Sequence, residues 1–223
     1  MMTDWESRFI AFIAPRLPAN DPAHDLAHIR RVVANARLLA AAEGADAAVV
    51  LPAAWLHDCV VVPKDSADRP RASRLAADTA ADFLRAAGYP AAHIPAVHHA
   101  IAAHSFSARI PPETLEARVV QDADRLDAIG AIGIARTLML GAALGTPLYD
   151  ATEPLPLVRP AEDGRAIIDH FYTKLLRLAE MMQTETGRRE AERRTELMRL
   201  YLAELDRELT GGGLIGSARD GTP

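Results

Sequence analysis

The 223-residue sequence has a single cysteine, Cys59, and only 5% aromatic residues. One thiol excludes an intrachain disulfide framework and any zinc cage built on two or more thiolates, so a bound metal would have to be held by histidines and carboxylates. There is no excess of positive charge either: 25 Lys and Arg stand against 30 Asp and Glu, a formal net charge of −5. Affinity for phosphate backbones comes from clustered cations that displace counterions, and this balance argues against nucleic-acid duplexes as partners. The N-terminal segment carries Asp4 and Glu6 and no basic stretch leading into an apolar run, so it does not read as a secretory signal. The longest apolar stretch, Ile129 to Gly145, is shorter than the ~20 residues a membrane span requires and contains Arg136 near its middle. It reads as a buried core helix, and a cytoplasmic protein without membrane contact is the expectation.

What is abundant is helix-forming. Hydrophobic residues make up 49% of the chain, carried mainly by Ala, Leu, Val and Ile, and an all-α fold follows. One domain is expected over residues 1–209, with a motif-bearing core at 21–145 and a flexible tail at 210–223. Proline and glycine divide the chain into helix-length pieces. The expected helices run from Thr3 to Ala14, from an Asp21-Pro22 cap to Glu43, from the Asp46 cap through His57, from Ala72 to Ala87 and from Ala91 to His104. A longer helical region runs from Glu113 to Leu144, where glycines allow a bend. After a proline-rich surface excursion at Gly145 to Arg159, two more helices are expected, Pro160 to Glu185 and Arg188 to Leu209. The mixed charges from Arg188 to Glu196 read as a solvated helix face with pairs four residues apart.

Seven of the eight histidines lie in the first half of the chain, with His170 alone later. His24 and His28, in HDLAH, are four apart and share a helix face, a weak signal taken alone. A stronger one is AAWLHDCV, where His57 and Asp58 end an apolar helix. Burying such a pair without partners costs several kcal/mol, and a divalent cation is one partner that satisfies both an imidazole and a carboxylate. The third element is VVQDADRLDAIGAIG. Here Asp122, Asp124 and Asp127 would repel one another at the mouth of a buried helix unless a cation sits among them; Asp124 and Asp127 share a face and Asp122 points elsewhere.

Taken in order over His24 to Ala135, the segments HDLAHIRRV, AAWLHDCVVVPK, AAHSFSA and DADRLDAIGAIGIAR resemble the HD-domain superfamily of metal-dependent phosphohydrolases, in particular small stand-alone bacterial hydrolases that act on nucleotides. The resemblance implies a helical HD-domain fold in which His28, His57, Asp58 and Asp124 ligate one divalent metal, with Asp127 the rival to Asp124 or, more in keeping with the pattern, a group that orients a ligand or water. Two imidazoles and two carboxylates suit Mn, Fe, Co, Ni or Mg, with zinc an alternative in a crystal. It further implies metal-assisted hydrolysis of a phosphoryl group, in which Asp58 acts on the attacking water as well as ligating. Lys64 and His104 are the remaining catalytic candidates, and His24, Lys64, Arg74 and Asp127 the candidate substrate contacts. His98-His99 reads as structural, with a second metal on His98 and His104 as the alternative.

Two branches of the superfamily fit less well. Gly88-Tyr89-Pro90 spells the GYP of cyclic-di-GMP phosphodiesterases but precedes His98-His99 instead of following a His-His pair, and the HDxGK signature is missing. The valines after Asp58 and Cys59 replace the acidic pair of the stringent-response hydrolases. The expected partner is thus a small-molecule nucleotide, with (deoxy)nucleoside triphosphates cleaved to monophosphate and pyrophosphate ahead of simple dephosphorylation; a homodimer is an open option for assembly. A non-catalytic nucleotide-sensing module with a structural metal is the competing reading, and a plain helical interaction protein the third.

Overall fold

The computed structural model describes residues 2–17, 25–62, 66, 68–105 and 108–211. Among these residues every regular element is helical: α1 (Met2–Ile13), α2 (Leu26–Glu43), α3 (Ala47–Leu56), α4 (Ala72–Ala87), α5 (Ile94–His104), α6 (Leu115–Asp127), α7 (Gly130–Ala143), α8 (Asp169–Thr173) and α9 (Glu185–Thr210). The all-α expectation is met.

Helix α3 sets the arrangement. Its sequence, AAVVLPAAWL, offers no polar face, and Val49 through Leu56 are all buried. A helix apolar all round must be enclosed on every side, and α1, α2, α4, α5 and α6 surround it. Pro52 lies inside α3 without breaking it. Proline lacks an N–H, so the Ala48 carbonyl loses its usual partner four residues on; the Tyr89 hydroxyl donates to that oxygen instead. Tyr89 also meets Trp5 edge-on, with ring centroids 4.8 Å apart. GYP therefore works locally: Gly88, at φ 75°, closes α4, and Tyr89 repairs α3.

Side-chain caps fix the helix starts. Asp25 accepts from His28 N and opens α2, placing His28 in the first turn; the expected Asp21-Pro22 cap lies outside the described residues. Thr114 caps α6 and Thr184 caps α9. The long helical region does break near a glycine: Gly130, at φ 75°, opens α7, with two residues separating it from the end of α6, and the two helices are bent by 63°.

Three expectations need correction. Helix α7 is not buried, since only Gly130 and Gly133 within it are, while Met139 is 54% and the adjoining Leu144 66% exposed. It packs on α9 and leaves its remaining surface to solvent and to a cleft. The helix expected over residues 160–185 does not form as one piece. Only α8 and a 3-10 stretch at Leu175–Met181 do, because Asp169, fully buried, draws in Arg159 at 2.6 and 2.7 Å and the Glu162 N–H at 2.8 Å. Such side-chain bonds compete with the helical ladder. The proline-rich segment is only partly a surface excursion, because Leu155 is 6% exposed and the Ile167 and Ile168 amides donate to the Pro147 and Leu148 carbonyls.

Helix α9 shows the expected pairs four residues apart, Glu185–Arg189 and Glu190–Arg194, with Glu190–Arg193 three apart beside them. Arg194 also turns inward, to the Leu126 carbonyl at 2.6 Å and Asn35 Oδ1 at 3.1 Å. Residues 212–223, most of the expected tail, lie outside the described residues. No single helix among those described is long and apolar enough to cross a membrane.

Replacing Tyr89 with Phe keeps the packing and removes only the hydroxyl that serves Ala48. Leaving that carbonyl without its donor should cost about 1 kcal/mol, a drop in Tm of roughly 3 °C for a chain of this size, measurable by thermal unfolding.

Candidate metal centre

The open end of the helical core carries the site, and two of its histidines are held by the same device. His57 caps α3, and its Nδ1 lies 2.9 Å from the Ala54 carbonyl. His104 ends α5, and its Nδ1 lies 2.7 Å from the Ile101 carbonyl. A carbonyl accepts only, so in both rings Nδ1 carries the proton and donates, and Nε2 turns to the site. The rings meet edge-on at 4.9 Å.

His28 is fixed differently. Its Nδ1 is 2.7 Å from Asp127 Oδ2, and Asp127 also receives Arg31 Nε at 2.7 Å and Arg136 NH1 at 2.6 Å. His28 Nε2 then points at Asp58 Oδ2, 3.7 Å away, and Asp124 Oδ1, 3.6 Å away. His57 Nε2 is 3.4 Å from the same Asp58 oxygen and 3.8 Å from the same Asp124 oxygen. The other Asp58 oxygen faces His104 Nε2 at 3.6 Å.

Four residues, from the start of α2, the end of α3 and the last turn of α6, thus aim one donor atom each into a small volume, at separations too long for good hydrogen bonds. His28, His57 and Asp58 offer atoms all within 4.8 Å of one another. His57 Nε2 is buried and makes no hydrogen bond, the mark of a group whose partner is an ion. The histidines form the floor, and the carboxylates, with Asp58 21% and Asp124 30% exposed, form the open side.

The electrostatics also call for positive charge. Burial pulls the His57 imidazolium down, but the Asp58 and Asp124 carboxylates outweigh it and raise the group to about 9. Burial raises the Asp58 carboxyl, and His57, His104 and His28 together bring it well below the usual range. Two imidazoles and two carboxylates around an orphaned ring nitrogen fit a divalent ion with open coordination positions. Cys59 stands next to Asp58 but is no ligand: burial and the Asp58 charge push its thiol up to about 12, and its Sγ lies 3.3 Å from the Ala76 carbonyl.

Not every sequence candidate reaches the site. Asp127, expected to contact substrate, is 1% exposed and fully engaged by His28, Arg31 and Arg136; it orients His28 from behind. Asp122 points away, accepting from the Gln183 and Thr184 amides at 2.9 and 2.8 Å at the start of α9. Arg74 is exposed in the first turn of α4. His98 pairs with Asp78 at 2.8 Å on the surface, six residues from His104 and on another face of α5, which speaks against a second metal shared by the two. His24 and Lys64 lie outside the described residues. Sequence reasoning missed Arg31, although its place three residues after His28, on the same face of α2, was a signal that it joins this cluster.

Asp127→Asn should weaken divalent-metal affinity about 10- to 100-fold, as loss of a carboxylate behind a ligating histidine does, read by calorimetric titration with Mn. It should also destabilise the fold by about 3 kcal/mol at neutral pH, because Arg31 and Arg136 lose their carboxylate. Burial raises the Asp127 carboxyl, but His28 and the arginines hold it below the usual range. Its stabilisation is therefore complete above about pH 4 and lost as pH falls through the folded value; denaturation of wild type and variant across that window should converge.

The HD-domain family model matches residues 25–129. The Bacillus subtilis protein YpgQ is 36% identical over 192 residues, covering 84% of this chain and 85% of that protein. Its crystal structure in complex with ADP superposes with a TM-score of 0.69 at 32% identity, over 92% of this chain and 95% of that one. An HD-superfamily hydrolase from Bacillus thuringiensis does so with a TM-score of 0.72 at 31% identity, over 94% and 99%. With the matched segment running from the Asp25 cap through Ile129, and so containing every residue of the cluster, the chain belongs to the HD-domain phosphohydrolase family.

Proposed function

We propose that this HD-superfamily hydrolase acts on nucleotides, cleaving (deoxy)nucleoside triphosphates to the monophosphate and pyrophosphate with the help of one divalent ion held by His28, His57, Asp58 and Asp124. The observation that carries the reading is the convergence of these four side chains around the orphaned Nε2 of His57. The ADP complex of the similar YpgQ favours a nucleotide over other phosphate compounds.

When bound, a divalent ion supplies Lewis acidity toward a phosphoryl oxygen and an acidified water. The chain's own groups do the rest. The Asp58 carboxylate is divided: Oδ2 faces His28 and His57, and Oδ1 faces His104. Oδ1 is thereby placed to accept a proton from the attacking water. His104, with Nδ1 committed to the Ile101 carbonyl, has Nε2 left to face a phosphoryl oxygen. Asp127 keeps the His28 ring in one orientation, so that the site is set before substrate arrives. Lys64, in the segment after the His-Asp pair, is the cation proposed to offset the phosphate charge.

Purified protein should carry close to one equivalent of a transition metal by elemental analysis, lose activity to a chelator, and recover it with Mn, Co, Ni or Mg. Asp58→Ala should reduce turnover by at least roughly 100-fold while the fold, by circular dichroism, is retained. A panel of nucleotides releasing neither phosphate nor pyrophosphate with any of these ions would overturn the proposal.

A further inference from the structure

Helix α5 ends differently from its neighbours. Helices α2, α4 and α9 each close on a glycine at φ 74° or 75° whose N–H returns to a carbonyl of the last turn. Helix α5 instead runs straight out through Ser105, extended at φ −80° and ψ 129°. A helix terminus leaves its last carbonyls without donors, and water is kept from these because Ala100 through His104 are all buried. Three side chains take its place. His104 turns its own Nδ1 back to the Ile101 carbonyl. The Ser73 hydroxyl of α4 donates to the Ala102 carbonyl at 2.9 Å, and the Gln121 amide of α6 donates to the Ala103 carbonyl at 2.7 Å.

Both outside donors give something up to do this. Helix α4 begins without any side-chain cap, so a hydroxyl in its first turn serves the neighbouring helix instead of its own N–H groups. Gln121 reaches Ala103 with its Nε2 while its Oε1 stays buried and unbonded; an apolar side chain would avoid that cost and leave the Ala103 carbonyl bare. The two bonds fall on the two residues immediately before His104. They also join that short stretch to the rest of the site. Gln121 lies one turn before Asp124 on the same face of α6. Three residues after Ser73, the Ala76 carbonyl receives the Cys59 thiol at 3.3 Å, so α4 grips both the end of α5 and the residue next to Asp58. The two sides of the 3.6 Å gap between His104 Nε2 and Asp58 Oδ1 therefore share one support.

We infer that Ser73 and Gln121 are positioning residues for His104: by satisfying the carbonyls on which its helix ends, they hold the imidazole in one tautomer and one orientation, with Nε2 across from Asp58 Oδ1. What His104 then acts on rests on the hydrolase reading above; how it is held does not. Without either donor the last turn of α5 loosens, the Ile101 carbonyl leaves its place under Nδ1, and the ring loses the acceptor that fixes its proton. Neither residue touches substrate or metal. Each acts through the backbone of α5.

Ser73→Ala and Gln121→Met each remove one donor without adding bulk. With Mn and a nucleoside triphosphate, each should lower kcat about tenfold or more, since moving an acting group by about 1 Å carries a loss of that order. Mn affinity by calorimetry should stay within about twofold, because neither residue holds a ligand. In a His104→Ala background the same substitutions should change kcat by less than about twofold, the group they position being gone. Equal losses with and without His104, or full activity in either variant, would overturn the inference. Histidine ring-nitrogen NMR of the Mg-loaded protein reads the positioning directly: His104 should show one tautomer, protonated at Nδ1, in wild type and a mixture in each variant. A His104 signal unchanged in the variants would overturn the inference even in an active enzyme. The expected change in a protein that hydrolyses no nucleotide would sustain it and remove the hydrolase reading.

Discussion

A helix with no polar side must be wrapped, and its ends are then the only places where it meets water. That constraint on α3 organises the molecule. The apolar run from Val49 to Leu56 forces neighbours on all sides, and the chain's polar chemistry appears at its C-terminal end, in His57 and Asp58. There the free carbonyls of a helix terminus become useful: Ala54 and, in α5, Ile101 each orient an imidazole, so two apolar helices deliver two histidines with the same nitrogen facing outward. The site's floor is built from the core's unsatisfied ends.

Helix α6 supplies the other half. Within eight residues it presents Gln121 to the Ala103 carbonyl of α5, Asp122 to the start of α9, Asp124 to the metal cluster, Arg125 to the Met181 carbonyl and Asp127 to His28. Each turn faces a different neighbour because 3.6 residues complete a circle. A dense run of charges that would be unfavourable as a group is distributed among separate partners.

Much of this was legible in the sequence because it is local. Helix-length pieces between Gly and Pro, the His-Asp pair ending an apolar run, and the acids interrupting another are properties of short segments. What was hidden depends on partners far away in the chain. Asp124 and Asp127 share a helix face, and only the reach of His28, Arg31 and Arg136 shows that Asp127 stands behind a histidine. Pro52 leaves the Ala48 carbonyl without its helical donor, and only Tyr89, 37 residues on, supplies the replacement. The segment at 160–185 has helical composition, yet a single buried ion pair, Arg159–Asp169, costs it the regular ladder. In α7 hydropathy suggested burial, because composition cannot distinguish the wall of a cleft from the inside of a core.

The anchoring of α9 by Asp122 and Arg125 bears on where the working unit ends. Both residues belong to the same helical stretch that presents Asp124, yet both are satisfied by backbone groups between Met181 and Thr184. A fragment cut at the close of the matched segment would keep His28, His57, Asp58 and Asp124 and lose those partners, leaving the Asp122 carboxylate and the Arg125 guanidinium without the backbone groups that satisfy them. The motif-bearing stretch therefore holds every side chain of the His-Asp cluster but not all that fixes it: the register of Asp124 is borrowed from residues more than fifty positions later.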